Sequence, residues 1–412
     1  MFSFLDTCER KWLPLLLAAG VLDGAASGIL WLTDIIAKKT LGAAGWQITV
    51  ITMLPSFVLV LSLFWSELLK KGAHQKRNLL IVGLLGRLIL LFALLTHGTN
   101  GILLLFFLYH LSSAMLIFLV TSIFEHNYRE EIRGRIYGWF TSAFTLASMI
   151  AGLLAGKILD ADEDAFRVLY AAAGVAGLAS CLLFSLVTLN RSGWHASETG
   201  TEHPFQLMTA SFRNAWQVLK TDGLFRQYQS NFSIYGLGFF SVLPVLPYFL
   251  VDTLHLSYGE ISLGRGVIGQ AGLVLLSPVL GKFMDRYKPI RFTGLMLTLL
   301  IAYPLLLMLA AFVPWPKLCV YAGFLMFGVA MAGVGLSWRL GSLYFTQGRP
   351  SAAYLTVHMS NAGLRGVVMP PVGYLIFSHL GSLAAFALSA ILLGIASFRM
   401  RRLGRREKGG ER

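Results

Sequence analysis

Length, composition and charge exclude most soluble classes of protein. The chain has 412 residues, of which 56% are hydrophobic and only 13% are charged, whereas about 25% of the residues in a soluble domain are charged. The formal net charge is +14, but the basic residues lie in short clusters between apolar runs. This pattern is typical of the loops of a multi-pass membrane protein and argues against nucleic-acid binding.

Twelve apolar segments have about the length that a membrane-spanning helix needs, which is about 20 residues. We therefore predict an all-α integral membrane protein with twelve transmembrane helices. The predicted spans are 12–36, 46–69, 78–96, 102–124, 136–159, 167–189, 228–251, 259–283, 292–313, 318–343, 352–377 and 382–399.

The Lys and Arg residues are distributed unequally between the two sides that these spans define. If the N-terminus is cytoplasmic, the cytoplasmic segments hold 25 of the 34 basic residues and the external segments hold five. The positive-inside rule then predicts that both termini are cytoplasmic. Short loops and compact size favour a bacterial inner membrane, and we expect a monomer.

A long polar segment lies between the sixth and seventh spans. We predict an N-terminal six-helix half at 1–190, a cytoplasmic linker at 191–227, a C-terminal half at 228–400 and a basic tail at 401–412. The linker contains an amphipathic helix, which either lies on the membrane surface or packs as an ordinary linker helix on the bundle. Its apolar face comprises Phe205, Met208, Phe212, Trp216 and Leu219.

The two predicted halves share an internal repeat, and each half contains one recognisable loop motif. Tyr137…Gly156 and Tyr354…Gly373 are offset by 217 residues, as expected for a parallel-repeat transporter. The loop after the eighth span, Gly281-Lys-Phe-Met-Asp-Arg-Tyr-Lys-Pro-Ile-Arg291, resembles the G-x-x-x-D-R-x-x-x-x-R signature of the major facilitator superfamily. The Arg133-Gly-Arg135 element after the fourth span also resembles this family.

The resemblance implies a secondary transporter with two pseudo-symmetric halves. It further implies a cytoplasmic gate, in which these loop residues join helix ends when the transporter faces outward. Alternatively, the basic residues only set the topology. The proposed gate residues are Gly281, Asp285, Arg286, Arg291, Arg133 and Arg135.

Charged residues within the spans are the candidate functional residues, because a charge at mid-membrane is costly. Four arginines remain there: Arg87, Arg265, Arg339 and Arg365. We interpret Arg339 as mainly structural. If the others line a cavity, its potential is positive and favours an organic anion.

Asp23 is the central carboxylate of the first span and lies in a glycine-rich stretch, Gly20 to Gly28. It is either a proton site or the partner of an arginine; alternatively, it is part of a structural ion pair that fixes packing. Glycines at this spacing allow helices to approach closely, or loosen a helix beside a cavity.

Span eleven carries His358, Asn361 and Arg365 at spacings of three and four, so all three lie on one helical face. This face should line the substrate path or form a polar contact between helices. His110 in span four, and Arg265 with Gln270 in span eight, complete the predicted pathway.

The leading functional prediction is therefore a proton-coupled secondary transporter of a small organic anion or metabolite. Efflux of amphipathic drugs by proton antiport is the alternative within transport. A polytopic membrane enzyme or a receptor without transport is the alternative of another class. The sequence shows no paired carboxylates and no clustered metal ligands, and its cysteines Cys8, Cys181 and Cys319 are scattered; we expect no cofactor, no metal and no catalytic residues.

Overall fold

The computed structural model describes residues 6–70, 75–96, 98–189, 204–341, 343–346 and 351–408. The chain is predominantly helical in these residues, and no β-strand occurs among them. The α-helices, in chain order, are α1 (Thr7–Leu30), α2 (Thr33–Lys39), α3 (Gly45–Lys70), α4 (Gln75–Val82), α5 (Thr99–Asn127), α6 (Glu130–Ala161), α7 (Phe166–Leu186), α8 (Pro204–Thr221), α9 (Gly223–Val242), α10 (Leu246–Tyr248), α11 (Tyr258–Ile261), α12 (Gly269–Arg286), α13 (Pro289–Leu300), α14 (Ala302–Ala310), α15 (Pro316–Leu340) and α16 (Ser351–Lys408).

Nine helical segments of the described chain are long and apolar enough to cross a membrane. One of them, Ala353–Arg406, has 54 residues, and its backbone leaves the helical conformation at Gly381, where φ is +82°. Pro370 and Pro371 lie inside α16 without such a break. Twelve spans in total remain a prediction.

Three segments of the described residues are π-helical, and each one interrupts or extends an apolar helix. They are Gly83–Arg87 after α4, Phe249–Thr253 after α10, and Ser262–Ile268 between α11 and α12. A π-helical turn inserts an extra residue into a helix and often occurs at functional sites. Both Arg87 and Arg265 lie in such turns.

The contacts of the chain define two compact units. The first unit contains Met1–Gly42 and Leu61–Leu207, and the second contains Ala43–Val60 and Met208–Arg412. The beginning of α3 belongs to the second unit because it packs on α16: a Cβ atom at Gly363 would lie 2.4 Å from Cγ2 of Val60. The sequence-based boundaries at 190 and 228 remain a prediction.

Within the first unit, α1 packs closely on α6 along a row of glycines spaced four residues apart. A Cβ atom at Gly24 would lie 2.2 Å from the carbonyl oxygen of Phe144, and one at Gly28 would lie 2.2 Å from that of Ser148. Only glycine permits this approach, as in other small-xxx-small contacts. Asp23 therefore stands beside a rigid helix contact.

Helix α8 contains the linker segment that the sequence predicts to be amphipathic. The side chains of Phe205, Met208 and Phe212 lie outside the described residues. The indole of Trp216 is 61% exposed, and the Lys220 ammonium lies 5.6 Å from its ring centroid.

Candidate functional site

A cavity of about 410 Å³ lies within the first unit and is lined by α1, α5, α6, α7 and the π-helical turn after α4. We call it the N-terminal cavity. Three residues predicted from the sequence, Asp23, Arg87 and His110, line its wall together. Hydroxyl groups of Ser27, Ser113, Thr121 and Thr141 supply further polar atoms, and the rest of the wall is largely apolar.

The charges in the N-terminal cavity form an ion pair. Nη2 of Arg87 lies 3.2 Å from Oδ1 of Asp23. The Arg87 side chain is only 2% exposed, whereas that of Asp23 is 15% exposed. Because the two opposite charges are adjacent, the pair adds little net charge to the cavity.

Glycines and an aromatic ring hold the Arg87 side chain. A Cβ atom at Gly177 of α7 would lie 3.0 Å from Cδ of Arg87, and one at Gly174 would lie 2.8 Å from the Arg87 carbonyl oxygen. The guanidinium carbon stands 4.2 Å from the centroid of the Tyr109 ring, a cation–π geometry. Nε and Nη1 of Arg87 find no hydrogen-bond partner among the described residues.

His110 is held by aromatic contacts rather than by hydrogen bonds. Its ring lies edge-on to Phe106 at 4.4 Å and to Tyr109 at 5.3 Å between centroids. Nε2 of His110 is buried and has no hydrogen-bond partner in the described part of the chain. The wall of the N-terminal cavity thus contains buried polar atoms of Arg87 and His110 that have no hydrogen-bond partner among the described residues.

A second group of predicted residues lies in the second unit, between α9 and α16. Arg365 is 5% exposed, and its Nη1 donates a hydrogen bond to the carbonyl oxygen of Phe232. The guanidinium carbon is 5.3 Å from the Phe232 ring centroid and 5.4 Å from that of Tyr235. Among the described residues Arg365 makes no ion pair with a carboxylate, and its Nε has no partner.

His358 and Asn361 occupy the same face of α16 as Arg365, and all three contact α9. Nδ1 of His358 lies 3.1 Å from the side-chain amide nitrogen of Gln229. Asn361 donates from Nδ2 to Oγ of Ser233 at 2.7 Å. The His358 ring also packs edge-on against Phe232 and Trp338. The three residues therefore form a buried polar contact within the second unit.

The remaining predicted pathway residues lie apart from this polar contact. Arg265 lies in the π-helical turn Ser262–Ile268, and Gln270 lies at the start of α12; both side chains are half-buried. The side chain of Arg339 lies outside the described residues. Within the described ranges, no three His, Cys, Asp or Glu side chains are placed to hold a metal ion.

The predicted gate residues lie at helix ends in both units. Arg291 donates from Nε to the carbonyl oxygen of Gly404 at 2.9 Å, which joins α13 to the end of α16. Gly281 and the exposed Arg286 lie in α12, whereas the side chain of Asp285 is outside the described residues.

In the first unit, Arg133 donates from Nη2 to the carbonyl oxygens of Glu125 and Tyr128. This bonding joins the beginning of α6 to the end of α5. Arg135 lies two residues further along α6 and is exposed.

An ion pair that the sequence analysis missed joins α1 to the loop between α5 and α6. Glu9 is 4% exposed and accepts a hydrogen bond from Nε of Arg129 at 2.9 Å. The same carboxylate also accepts from the backbone nitrogen of Asp6 in a capping box. The hydrogen bond to Glu9 raises the pKa of the Arg129 guanidinium above its ordinary value. The sequence does contain a signal for Glu9, because an acidic residue three positions after a helix-capping Asp is typical of a capping box.

The chain matches the family model of the Major Facilitator Superfamily over residues 15–364. It therefore belongs to this family, and the family resemblance seen in the sequence is confirmed. A comparison with curated protein sequences found no significant match.

Solved transporter structures share the fold at low sequence identity. A mutant form of the nucleoside transporter NupG has a TM-score of 0.72 and 14% identity, with 95% of this chain and 98% of that chain covered. The D-xylose–proton symporter has a TM-score of 0.67 and 13% identity, with 94% and 96% covered. The human organic anion transporter MFSD10 (TETRAN) has a TM-score of 0.63 and 14% identity, with 95% and 99% covered.

Family and fold together define the class of protein. The chain is a multi-pass, all-helical membrane protein and a transporter of a small solute rather than an enzyme. The predicted secondary-transport class is thereby confirmed.

Proposed function

We propose that this transporter moves a small organic anion or metabolite by alternating access and couples its movement to protons. The observation that carries the anion preference is the buried Arg365, which has no carboxylate partner among the described residues. A carbonyl oxygen and two aromatic rings stabilise its charge only in part. An anionic group of the solute would complete that stabilisation with charge-assisted hydrogen bonds.

Coupling to protons is assigned to Asp23. Its carboxylate borders the N-terminal cavity and contacts Arg87. Binding of an anion to Arg87 would compete with Asp23 for the same guanidinium, and a proton on Asp23 would remove that competition. The similar solved folds include proteins described as an organic anion transporter and a proton symporter, which is compatible with both parts of this proposal.

The remaining parts of the proposal concern the membrane and the gate. Gly281, Asp285, Arg286, Arg291, Arg133 and Arg135 would form the cytoplasmic gate in the outward-facing state. Both termini would lie in the cytoplasm of a bacterial cell, with the protein acting as a monomer in the inner membrane. The excess of basic residues in the segments assigned to the cytoplasm supports this orientation.

Flux into proteoliposomes tests the anion preference directly. Carboxylates, sugar phosphates, neutral sugars and quaternary ammonium compounds would be compared as labelled solutes, with and without an inward proton gradient. We expect uptake of an anion that the proton gradient increases and that Arg365→Met reduces at least tenfold. Arg405→Met, which removes an exposed arginine near the end of α16, serves as the matched control and should retain uptake.

Two results would overturn the proposal. Uptake restricted to neutral or cationic solutes would remove the anion preference, and anion uptake unaffected by the proton gradient would remove the coupling. Binding of a solute to wild type without any flux would instead favour a receptor.

Efflux of amphipathic cations is a second candidate function, and one observation favours it. In the ion pair, Asp23 is the more exposed partner and Arg87 is almost fully buried. A cation in the N-terminal cavity could therefore reach the carboxylate before the guanidinium. Proton-driven transport of a quaternary ammonium compound that Asp23→Asn abolishes and Arg365→Met leaves intact would establish this alternative.

A further inference from the structure

Aromatic side chains dominate the wall of the N-terminal cavity. Seven of its eighteen lining residues are Phe, Trp or Tyr, against 13% of the whole chain. The enrichment comes from periodic positions on α6 and α5, such as Tyr137, Phe140 and Phe144, which are spaced three and four apart and so share one face. Aromatic rather than aliphatic side chains therefore form a large part of the cavity wall.

Several of these aromatic rings pack against other aromatic rings of the protein. Phe106 and Tyr109 stack on each other with centroids 6.2 Å apart, and Phe140 contacts Phe124 and Phe184. In such pairs each ring covers part of the other, so less ring surface is left for contact with a ligand.

Trp31 and Phe144 differ from these rings. Both line the cavity, and neither makes a ring–ring contact with any residue that the structure describes. Trp31 stands at the end of α1, two turns beyond Asp23, and Ser27 lies between them on the same face. Phe144 lies on α6, where the close contact of its backbone with Gly24 fixes its position.

The polar atoms of the cavity complement these two rings. Nε and Nη1 of Arg87 and Nε2 of His110 lack hydrogen-bond partners among the described residues. The wall thus holds buried hydrogen-bonding atoms beside Asp23, together with two rings, those of Trp31 and Phe144, that stack on no other described ring. A cavity of about 410 Å³ falls in the size range of small-molecule sites.

We propose that the transported solute carries a planar aromatic ring, which stacks on Trp31 and Phe144 while its polar group binds beside Arg87 and Asp23. This inference rests on the proposed function only in that the solute must enter the N-terminal cavity. It does not depend on the sign of the solute's charge.

Matched pairs of solutes separate the ring from the charge. Benzoate and 3-phenylpropanoate are compared with cyclohexanecarboxylate and 3-cyclohexylpropanoate, and benzylammonium is compared with cyclohexylmethylammonium. Binding is measured by the rise in unfolding temperature of the purified full-length protein with solute concentration. We expect each aromatic member that binds to do so about tenfold more tightly than its alicyclic partner, which corresponds to about 1.4 kcal/mol.

Variants then assign the preference to the two rings. Trp31→Leu and Phe144→Leu retain an apolar side chain, and each should reduce the aromatic preference to less than about threefold. Trp315→Leu and Phe312→Leu are the matched controls, because these side chains are 70% and 72% exposed and do not line the cavity. The controls should leave the preference unchanged.

The outcomes distinguish the two proposals. Equal binding of aromatic and alicyclic members, no stabilisation by any aromatic solute, or a preference that survives in both cavity variants would overturn the aromatic inference. A preference for benzylammonium over benzoate would overturn the anion proposal and leave the aromatic inference intact.

Discussion

Arg87 and Arg365 are two buried arginines, one in each unit of the transporter, and their surroundings are alike in most respects. Each guanidinium lies near aromatic rings, and each side chain passes over a glycine of a neighbouring helix, Gly177 for Arg87 and Gly236 for Arg365. They differ in their counter-charge, since Arg87 contacts a carboxylate, Asp23, and Arg365 donates to a backbone carbonyl.

The difference shows that burial and sequence context alone do not define what an intramembrane arginine does. An ion pair in a low-dielectric interior balances its own charge, and so the N-terminal cavity can accept solutes of either sign. An arginine bonded only to neutral groups keeps its positive potential, because hydrogen bonds and ring faces stabilise the cation without cancelling its charge.

The largest expected effect is the difference in stability between a variant that lacks Arg87 and a variant that lacks Arg365. Arg87→Met leaves the Asp23 carboxylate partly buried without its partner, and breaking such a pair costs about 3–5 kcal/mol. Arg365→Met leaves no described carboxylate behind and loses one hydrogen bond, so its stability should stay within about 1 kcal/mol of wild type. Unfolding temperatures of the two variants in the same detergent check this.

A double variant sharpens the same comparison. Adding Asp23→Asn to Arg87→Met removes the orphaned charge and should recover part of the lost stability, with a coupling of about 1–3 kcal/mol. Equal losses for Arg87→Met and Arg365→Met, or no recovery in the double variant, would show that the ion pair does not stabilise the first unit.

Substitution of the glycines that the two arginine side chains contact should have the next largest effect on stability. A Cβ atom at Gly236 would lie 2.1 Å from Cδ of Arg365, whereas one at Gly177 would lie 3.0 Å from Cδ of Arg87. Gly236→Ala must therefore displace Arg365 from the Phe232 carbonyl and should cost about 1–3 kcal/mol. Gly177→Ala needs only a small shift of a side chain and should cost less than about 1 kcal/mol.

Thermal unfolding of both variants measures this difference. Gly394→Ala in α16 is the control, because a Cβ atom there would meet nothing within 4 Å. If Gly236→Ala unfolds at the same temperature as the control, Arg365 is free to move and is not fixed by its contact with α9.

The sequence predicted much of this arrangement because it depends on spacing and on the cost of buried charge. Apolar runs predicted membrane helices, and the expense of intramembrane charge selected Asp23, Arg87 and Arg365. The spacing of His358, Asn361 and Arg365 placed them on one face, and all three contact α9. The glycines around Asp23 signalled a close helix contact, which α1 makes with α6.

Partners in space could not be predicted, because pairing depends on how helices distant in sequence pack together. Nothing local indicates that Asp23 meets Arg87, 64 positions away, while Arg365 meets a backbone carbonyl. The π-helical turn at Gly83–Arg87 was also missed, since a π-helical turn has no characteristic amino-acid composition. Glu9 was missed because it lies just before the first predicted span, although its partner Arg129 lies four residues before the Arg133-Gly-Arg135 element.

The smallest expected effect concerns the two histidines that accompany these arginines. His358→Phe retains the ring packing against Phe232 and Trp338 but removes the hydrogen bond to the buried Gln229 side chain. Because Asn361 still contacts Gln229, the loss should be about 1 kcal/mol. His110→Phe removes no hydrogen bond among the described residues and keeps the edge contacts with neighbouring rings, so its unfolding temperature should match wild type.

Gln229→Leu added to His358→Phe removes the second polar partner as well, and the double variant should lose little more stability than His358→Phe alone. A larger loss of stability for His110→Phe than for His358→Phe would contradict this prediction. It would show that His110, and not His358, makes the hydrogen bond that stabilises the fold.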